Sequence, residues 1–544
     1  MATVINFFGK QVIEPGAYAA MVYNPTSVVN VAEFGNTFLI DPGLNLNSPN
    51  PELEFAGGSG WNGTLEKGEK TIYAFDTLED FVSFMNGGLV GDISRYLFTP
   101  RAGQQGIPKL FYCRAATTTP ASATVPIGIN GFQFLMQCKN EGIGGNAFRD
   151  TDNILRAGYS VQIVAVTSGF VFRIMRGTFK GADSYGEPFF GNYMPLSKPE
   201  VVLESGVITT YGELVNFCNS SRAFNAHFKL TFTPLDGTNN DYPLAAVPEM
   251  DFEDGTTVYD PETFLPQILE TITDWDITFH LGTNWTLADA TAATNSTLFT
   301  WLKTQTKFTQ FMVMGGGNDD TDLLGDGITS QAVAKYFDSE QVVICHCAPE
   351  VPFKDTTKVG FKRLNTIYWA AAIIGMAGGG APQTPLTFKR VGFNSFVYNL
   401  KKREREKTLQ AGILHPRNVN GNFVVNQGVT TLQDNFQTIS LDAQSLEFSI
   451  ALIKAQMNKE LIMDAENRFP GRTVAQSSPE DVKNFTETKL ASFVATIGND
   501  NLIVDWKNVS VKAKNGDYSV TYDFVPNVPL NKLFFIGNML DFSF

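Results

Sequence analysis

The chain has 544 residues, of which 43% are hydrophobic and 18% are charged, and this composition is typical of folded domains rather than of disordered segments. One hydrophobic core cannot serve a chain of this length, so we expect about three or four domains. A formal net charge of −14 argues against a protein that wraps nucleic acid, because phosphate binding needs a concentrated positive surface.

The first 108 residues divide into an extended segment and the first part of a core. Residues 1–35 contain short β-prone stretches interrupted by Pro-Gly and Asn-Pro, and we interpret them as an N-terminal arm with the first strands. Residues 36–108 begin with a Gly/Asn/Pro-rich loop from Asp41 to Gly68. A helix follows, because Thr77 and Asp80 have the spacing of a capping box.

The predicted secondary-structure pattern changes once in the middle of the chain. Residues 109–245 consist mostly of strands and turns, which predicts a β-rich inserted or outer domain. In residues 246–430 strands alternate with helices, as in strand 308–314, helix 329–337 and strand 341–345, and this alternation predicts a largely parallel α/β layer. The predicted fold is therefore a mixed, multidomain α/β protein with a β-rich insertion and extended β arms at both ends.

Residues 431–525 are predicted to complete the core with two helices and a β-hairpin. The first helix has an apolar stripe that includes Ile450, Ile453 and Met457, and the second begins with Ser478 as its cap and proline at its first position. The hairpin strands show alternating apolar and polar residues on both sides of an Asn-Gly turn at 515–516.

Residues 526–544 have the pattern of one more apolar strand, a C-terminal arm. Five of its apolar side chains fall on one face at a period of two, namely Phe534, Ile536, Leu540, Phe542 and Phe544. An unpaired apolar strand would aggregate, so this segment needs a sheet to join. That sheet belongs either to the same chain or to a neighbouring copy.

Cysteine use and hydropathy indicate where the protein folds. Five cysteines, an odd and sparse set, indicate reduced thiols and folding in a cytoplasm. The longest apolar stretch, Ile367–Ala377, is far shorter than the roughly 20 residues that span a bilayer, and no secretory signal opens the sequence. We expect a protein that stays soluble and does not insert into membranes.

One basic cluster stands out from the acidic chain. It consists of Lys401, Lys402, Arg403, Arg405 and Lys407, interrupted by two glutamates. We interpret it as a solvated helix or loop face rather than a nucleic-acid patch.

Three stretches come close to known chemical sites without completing them. Gly63–Thr71 resembles a phosphate loop, but Glu69 stands where the pattern needs lysine. Cys345–Cys347 offers three soft ligands on successive strand positions, which point to opposite faces and do not converge on zinc. The acidic run Gly315–Asp322 lacks the closing glutamate of a calcium loop. We predict no catalytic, cofactor-binding or metal site.

Six short motifs, taken in order, resemble the contractile tail sheath family of bacteriophages, which includes the sheaths of phage-like bacteriocins, injection particles and type VI secretion systems. The motifs are Glu14–Tyr18 (Pro-Gly-x-Tyr), the helix and strand from Thr77 to Arg114, the Gly-x-x-Gly-Asn turn Gly142–Asn146, the Asp-Gly turn Glu253–Thr256, the Ala-Gly and Ala-Pro pair Ala377–Pro382, and Val525–Pro529 before a closing strand. The resemblance runs nearly end to end, and the order of the motifs carries it.

The sequence departs from the family pattern at two places. Ala19 and Ala20 stand where acidic residues often follow Pro-Gly-x-Tyr. The segment Phe436–Leu441 lacks the paired arginines that commonly precede the late helix. Both departures concern the group within the family.

The resemblance implies a structural subunit rather than an enzyme. Family members form hexameric rings stacked helically around an inner tube, and the metastable extended sheath contracts to drive the tube through an envelope. The implied partners are further copies of the chain, the tail tube protein, and the baseplate and tail terminator proteins, in a virion assembled in the host cytoplasm, with no cofactor. The rival interpretation is an α/β hydrolase-like enzyme with β-rich additions, since fold does not imply function.

The resemblance also implies where copies are linked. In the family, the terminal arms add strands to sheets of neighbouring subunits, which is β-augmentation. The expected inter-subunit residues are Pro15, Gly16 and Tyr18 in the N-terminal arm and Phe534, Ile536, Leu540, Phe542 and Phe544 in the C-terminal arm.

Overall fold

The structure is a computed structural model. It describes residues 5–7, 10–12, 34–41, 72–85, 88–126, 133–139, 142–177, 187, 198–233, 242–259, 276–283, 285–291, 310–432, 447–469, 477–494, 501–514 and 517–527. The near-phosphate loop 63–71 and all eight predicted arm residues lie outside these ranges.

The elements follow one another in four stretches. The first contains β1 (Ile5–Phe7), β2 (Lys10–Val12), β3 (Thr37–Asp41), β4 (Ile72–Phe75), α1 (Leu78–Met85), α2 (Gly88–Phe98) and β5 (Leu110–Arg114). The second contains β6 (Ala116–Thr119), β7 (Ser122–Pro126), β8 (Gln133–Cys138), β9 (Phe148–Arg149), β10 (Leu155–Ala157), β11 (Tyr159–Val166), β12 (Gly169–Arg176), β13 (Glu200–Glu204), α3 (Tyr211–Ser220), α4 (Arg222–His227), β14 (Phe228–Thr233), β15 (Val247–Asp251) and β16 (Thr256–Tyr259).

The third stretch contains β17 (Phe279–Gly282), α5 (Leu287–Thr291), β18 (Phe311–Gly315), α6 (Ser330–Phe337), β19 (Val342–Cys345), β20 (Pro349–Pro352), β21 (Phe361–Arg363) and α7 (Thr366–Gly378). The fourth contains β22 (Ser395–Phe396), α8 (Lys402–Gln410), β23 (Pro416–Val419), β24 (Asn422–Val425), α9 (Phe448–Arg468), α10 (Pro479–Val494), β25 (Ile503–Lys514) and β26 (Asp517–Pro526).

A six-stranded sheet forms the centre of the core. Its strand order is β19-β18-β17-β3-β5-β4, and all neighbours are parallel except the β5–β4 pair. β18 and β19 are apolar and buried at every position, as expected for strands covered on both faces. The predicted, largely parallel α/β layer is therefore present.

Helix α7 fills one face of this sheet. All 13 of its residues are buried, which explains a helix that is apolar on every side. A Cβ atom at Gly375 would lie 2.3 Å from the Tyr96 carbonyl oxygen, so glycine allows α7 to pack closely against α2. The same face carries a core cluster that includes Phe81, Leu97 and Trp369.

The β-rich insertion leaves the sheet after β5 and returns to it at β17, on the other side of β3. Its strands form a four-stranded antiparallel sheet (β13-β12-β11-β15) and a three-stranded sheet (β14-β8-β7) around a core of their own. The two chain crossings, β6 and β16, pair with each other from Ala116↔Tyr259 to Thr119↔Thr256.

Strand pairing differs from the predicted insertion limits of 109 and 245 at both ends. Leu110–Arg114 pairs in parallel with Thr37–Asp41 and so belongs to the core sheet. At the other end, β15 and β16 still pair with strands of the insertion as far as Tyr259. The sequence did not reveal either limit, because both depend on pairing between distant segments.

Two motifs of the sheath resemblance meet at the base of the insertion. The side-chain amide of Asn146 donates to the Gly255 carbonyl oxygen at 2.8 Å and accepts from the Gly255 amide at 2.7 Å. A Cβ atom at Gly255 would lie 2.3 Å from the Gly142 carbonyl oxygen. The turn at 142–146 and the turn at 253–256 therefore form one clamp.

Helix starts follow the predicted capping chemistry. The Asp80 amide donates to Thr77 Oγ1 at 3.2 Å, and the Asp481 amide donates to Ser478 Oγ at 3.2 Å. Each cap returns a hydrogen bond to the carboxylate three residues later. The predictions of helices starting after Thr77 and Ser478 are confirmed.

Candidate interaction surface

The hairpin β25–β26 has the longest strands of the two-stranded sheets among the described residues, with 12 residues in β25 and 10 in β26. Within the described chain its sheet has two strands, so each strand has one edge whose backbone groups face no third strand there. Such an edge is a template for pairing with another chain. The sequence predicted the arms that would donate a strand, but not which sheet would receive one.

A bulge at Asn508 keeps the apolar side chains of the hairpin on one face. Trp506 lies opposite Phe524, and Val511 lies opposite Val520. An odd spacing separates Trp506 from Val511, so strict alternation would place them on opposite faces. The register shifts between Lys507 and Ser510, where Asn508 adopts a φ of 58° and absorbs the extra residue.

The apolar face of the hairpin packs on the two C-terminal helices. The shared cluster contains Ile453 and Met457 of α9, Leu490 and Phe493 of α10, and Ile503 of β25. The Tyr518 hydroxyl donates to the Ser477 carbonyl oxygen at 2.7 Å. Among the described residues, the helices therefore hold the hairpin from one side.

The opposite face of the hairpin is exposed and polar. Across it, Lys507 lies opposite Asp523, Ser510 opposite Thr521, and Lys512 opposite Ser519. Val504 and Val525 remain 59% and 47% exposed near the open end of the ribbon. A groove of about 160 Å³, lined by Lys454, Met457 and Phe524 among others, runs between α9 and β26.

A buried Ser–His contact lies beside the carboxyl end of β19, where the enzyme interpretation would look for catalysis. Ser330 Oγ and His346 Nδ1 are 2.9 Å apart, and Ser330 Oγ also accepts from the Gly317 amide at 2.8 Å. Both side chains have 0% exposure. The contact therefore joins the start of α6 to the end of the strand in the interior of the protein.

The histidines of this region are neutral at physiological pH. Burial lowers the pKa of His346 to about 4 and that of His415 to about 3, and the nearby His346 adds to the effect on His415. His346 and His415 follow the bridged residues Cys345 and Leu414, so the two imidazoles belong to adjacent segments. Neutral buried imidazoles there make folding sensitive to acid.

The ends of β3 and β5 are also filled by buried polar side chains. The Tyr112 hydroxyl donates to Asp41 Oδ1 at 2.8 Å, and Arg114 has 0% exposure. Burial and the Asp41 carboxylate raise the pKa of Tyr112 well above its usual value. Open α/β sheets commonly bind ligands at the point where strand order reverses, which here lies between β3 and β17. Asp41 stands at the end of β3 there, and Thr283 Oγ1 lies 3.4 Å from its Oδ2.

A cleft of about 270 Å³ opens beside these ends, at β17 and β18. Its lining includes Trp285, Gly316, Asp322 and Thr366. Thr366 Oγ1 donates to the Gly316 carbonyl oxygen at 2.8 Å, so that hydroxyl serves the wall of the cleft. The cleft gives the enzyme interpretation a location that can be tested.

The two segments that come close to a metal-site pattern, the acidic run and the Cys-His-Cys segment, take part in contacts within the protein. Asp319 Oδ1 accepts from the Thr321 amide at 3.1 Å, and Asp319 Oδ2 lies 3.3 Å from the Arg363 guanidinium. Cys345 and Cys347 are buried, and burial raises the pKa of Cys347 to about 12. In the parts of the chain that the structure describes, no group of three or more His, Cys, Asp or Glu could hold a metal ion.

Comparison with known proteins gives one informative similarity. No protein-family model and no curated protein matches the sequence. The crystal structure of a sheath tail protein from Desulfitobacterium hafniense aligns with a TM-score of 0.55 and 11% identity, covering 94% of this chain and 100% of that protein. A sheath tail protein from Listeria innocua aligns over 92% of this chain and 99% of its own, with a TM-score of 0.49 and 12% identity. The contracted helical sheath of the anti-feeding prophage aligns over 53% of this chain and 78% of its own, with a TM-score of 0.37 and 13% identity.

The Desulfitobacterium structure shows that this chain has the fold of a sheath tail protein over almost its whole length. The similarity to tail sheath proteins predicted from six short motifs is thus confirmed at the level of the fold. The predicted mixed, multidomain α/β class is confirmed with it.

Proposed function

We propose that this protein is the structural subunit of a contractile tail sheath. Copies would polymerise as stacked hexameric rings around a tail tube and contract to drive that tube through the host envelope, ejecting the genome. The observation that carries the proposal is the alignment of a sheath tail protein over 94% of the chain. The role is structural and not enzymatic.

The β25–β26 hairpin supports a specific mode of assembly. Helices α9 and α10 hold one face of the ribbon, while both edges face no third strand of the described chain. An arriving strand would gain main-chain hydrogen bonds without displacing any described partner. We assign the arms of neighbouring copies to these edges: the segment around Pro15, Gly16 and Tyr18, and the segment from Phe534 to Phe544 that the sequence predicts to be a strand.

The remaining partners follow from the same role. The tail tube protein, the baseplate and the tail terminator would contact the assembled sheath in a virion put together in the host cytoplasm, without direct binding of nucleic acid and without membrane insertion. Among the described residues, no helix is long and apolar enough to cross a membrane.

The C-terminal arm offers a matched test of the proposal. In the variant Phe542→Ser/Phe544→Ser, two apolar side chains of the predicted pairing face are lost. In the control Asp541→Ala/Ser543→Ala, the changes fall on the alternate face of the same strand. Negative-stain microscopy of the purified wild-type protein and the control should show tubes, whereas the first variant should remain a folded, unassembled subunit.

Two results would contradict the proposal. If the wild-type protein forms no tubes or rings at any concentration, the sheath role is wrong. If Phe542→Ser/Phe544→Ser unfolds the subunit, the strand belongs to its own core and not to a neighbour. Circular dichroism and urea unfolding of the unassembled subunits would separate these outcomes.

A further inference from the structure

The basic cluster of the sequence is part of a larger surface in the structure. We define the basic surface as Lys389, Arg390, Lys401, Lys402, Arg403, Arg405, Lys407 and Arg417. Lys401, Lys402, Arg403 and Lys407 are exposed on and before α8. Arg417 and Arg390 both pair with Val424, so they lie on the two sides of β24.

Helix α8 begins with positively charged residues, although the N-terminus of a helix disfavours positive charge. Lys401 is the N-cap, and Lys402 and Arg403 are the first two helical residues. The positive end of the helix dipole makes cations unfavourable there. Glu404 relieves only part of this by accepting a hydrogen bond from the Lys401 amide at 2.7 Å. These three cations therefore reduce the local stability of the helix.

Two further costs fall on the same surface. Phe388 is 50% exposed and adopts a φ of 60°, an unfavourable conformation for a bulky side chain. The Arg417 guanidinium lies 5.6 Å from the centre of this ring, a favourable cation–π contact that offsets part of that cost. The second cost is at Arg405, where burial and then the nearby Arg417 guanidinium lower the pKa. Local rules that are broken together at one surface point to a role outside the subunit.

Net charge identifies the partner. The basic surface has eight cations, and Glu404 and Glu406 interrupt it, which gives +6. Since the whole chain carries −14, the rest of the chain carries −20. Copies of so acidic a chain repel one another wherever their other surfaces meet, and positive charge facing negative charge removes that penalty.

We propose that the basic surface binds an acidic surface of a second copy of this chain. A head-to-tail contact of this kind joins two different surfaces and builds open helical assemblies. A polyanionic nucleic acid fits less well, because Glu404 and Glu406 lie among the cations and the remainder of the chain repels phosphate. The proposal rests on the self-assembly proposed above and adds the contact that makes assembly sensitive to salt.

Carbodiimide cross-linking of a mixed-isotope assembly tests the contact directly. Equal amounts of unlabelled and ¹⁵N-labelled chain are assembled together and treated with the reagent, which joins lysine to carboxylate without a spacer. Lys401, Lys402 or Lys407 should give links that combine both isotopes. A link between Lys402 and Glu406 within one copy, whose side chains are 4.0 Å apart, serves as the internal reference.

Charge variants give the second measurement. Lys402→Gln/Arg403→Gln/Lys407→Gln removes three positive charges from the basic surface, and Arg222→Gln/Lys229→Gln/Lys335→Gln removes three from exposed positions elsewhere. The first should raise the concentration needed for half-maximal assembly roughly tenfold at low salt, with a weaker salt dependence. The second should stay close to the wild-type value.

Each contrary result has a distinct meaning. If sheath tubes form but the lysines of the basic surface link only within their own copy, and both triple variants assemble alike, this proposal is wrong while the sheath role stands. If the wild-type chain binds duplex DNA and only the first variant loses that binding, the surface belongs to nucleic acid. A chain that never assembles overturns both proposals.

Discussion

Asn508 shows how one residue sets the register of a whole ribbon. Its φ of 58° is unfavourable for most side chains but open to glycine. The side-chain Nδ2 of Asn508 also donates to Asp523 Oδ2 at 2.6 Å. Without this bulge, Trp506 would point away from Phe524 and from the two helices that the hairpin covers.

Replacing Asn508 separates the backbone effect from the hydrogen bond. Asn508→Gly and Asn508→Ala both lose the contact with Asp523, but only alanine keeps the strain of the left-handed conformation. The alanine variant should therefore be less stable than the glycine variant by about 1 kcal/mol. Urea unfolding of the unassembled subunit measures the difference. Equal stability of the two variants would show that the conformation at 508 imposes no cost.

Local sequence information was sufficient for the hairpin strands but not for the bulge. Alternation in Val509–Ala513 and Tyr518–Phe524 predicted both strands correctly. The signal for the bulge was the position of Trp506, three residues before Val509 and on the wrong parity for a regular strand. An apolar residue out of phase beside an asparagine indicates a bulge.

Buried histidines predict how subunit stability depends on pH. His346 and His415 have pKa values lowered from 6.5 to about 4 and about 3, chiefly by burial. Because the unfolded chain takes up protons first, their contribution is complete above pH 6.5 and declines as the pH falls towards 4. Each histidine should lower the unfolding free energy by about 1 kcal/mol per pH unit in that window.

The variant His415→Leu isolates one of these contributions. It should flatten the pH dependence between pH 6.5 and 4 relative to the wild-type subunit, whatever its effect on stability at pH 7. Urea unfolding at several pH values provides the slopes. If wild type and variant have parallel profiles, His415 takes up no additional proton on unfolding.

At the scale of elements, the helices could be predicted from short-range sequence patterns. The pairing of strands far apart in the chain could not. The caps at Thr77 and Ser478 gave the starts of α1 and α10, since capping depends on residues three positions apart. In contrast, the sequence pattern of strands and turns assigned Leu110–Arg114 to the insertion. Its parallel pairing with β3, across some 70 residues, leaves no local signal. The hairpin and the basic cluster at 401–407 were both recognisable from local sequence. The addition of Lys389, Arg390 and Arg417 to that cluster was not, because it depends on strand pairing around β24.

A buried ion pair joins residue 187, which falls between two strands of the insertion, to the core. Glu187 has 0% exposure, and its Oε2 lies 2.8 Å from Nζ of Lys362 on β21. The Asp355 amide donates to Glu187 Oε1 at 2.8 Å. Burial acts to raise the pKa of Glu187, but the amide hydrogen bonds and the Lys362 ammonium outweigh it and lower the pKa. The carboxylate is therefore charged in the folded protein.

Removing one partner of this pair should cost far more than removing both. Glu187→Met leaves the Lys362 ammonium buried without its carboxylate, which should destabilise the subunit by about 3–5 kcal/mol. Glu187→Met/Lys362→Met replaces the pair with apolar side chains and should recover most of that loss. Urea unfolding of both variants and of Lys362→Met completes the cycle. A double variant as unstable as the single ones would mean that the packing, and not the charge, is decisive.

At the scale of the whole molecule, the insertion has a hydrophobic cluster of its own but is joined to the core at more than one place. It enters and leaves through the ribbon β6–β16, clamped by Asn146 and Gly255, and the buried Glu187–Lys362 pair adds a second link. The interaction surfaces, β25–β26 and the basic surface, lie on elements that follow the core sheet in the chain. Assembly contacts are thus separate from the insertion in sequence.

Contraction, on the proposed function, draws its energy from two packings of the same subunits. Such packings can differ by only a few kcal/mol per copy, and the differences add up along a long assembly. Strands donated across copies would keep the subunits linked while rigid cores rotate and the contacts of the basic surface change.

Tails assembled in the extended state should therefore contract irreversibly in EDTA and without ATP, once urea below the unfolding midpoint of the subunit loosens the lattice. Parallel samples with ATP and Mg²⁺ should contract to the same length in electron micrographs. Contraction that occurs only when ATP or a divalent cation is added would rule out this mechanism and direct attention to the cleft beside Trp285.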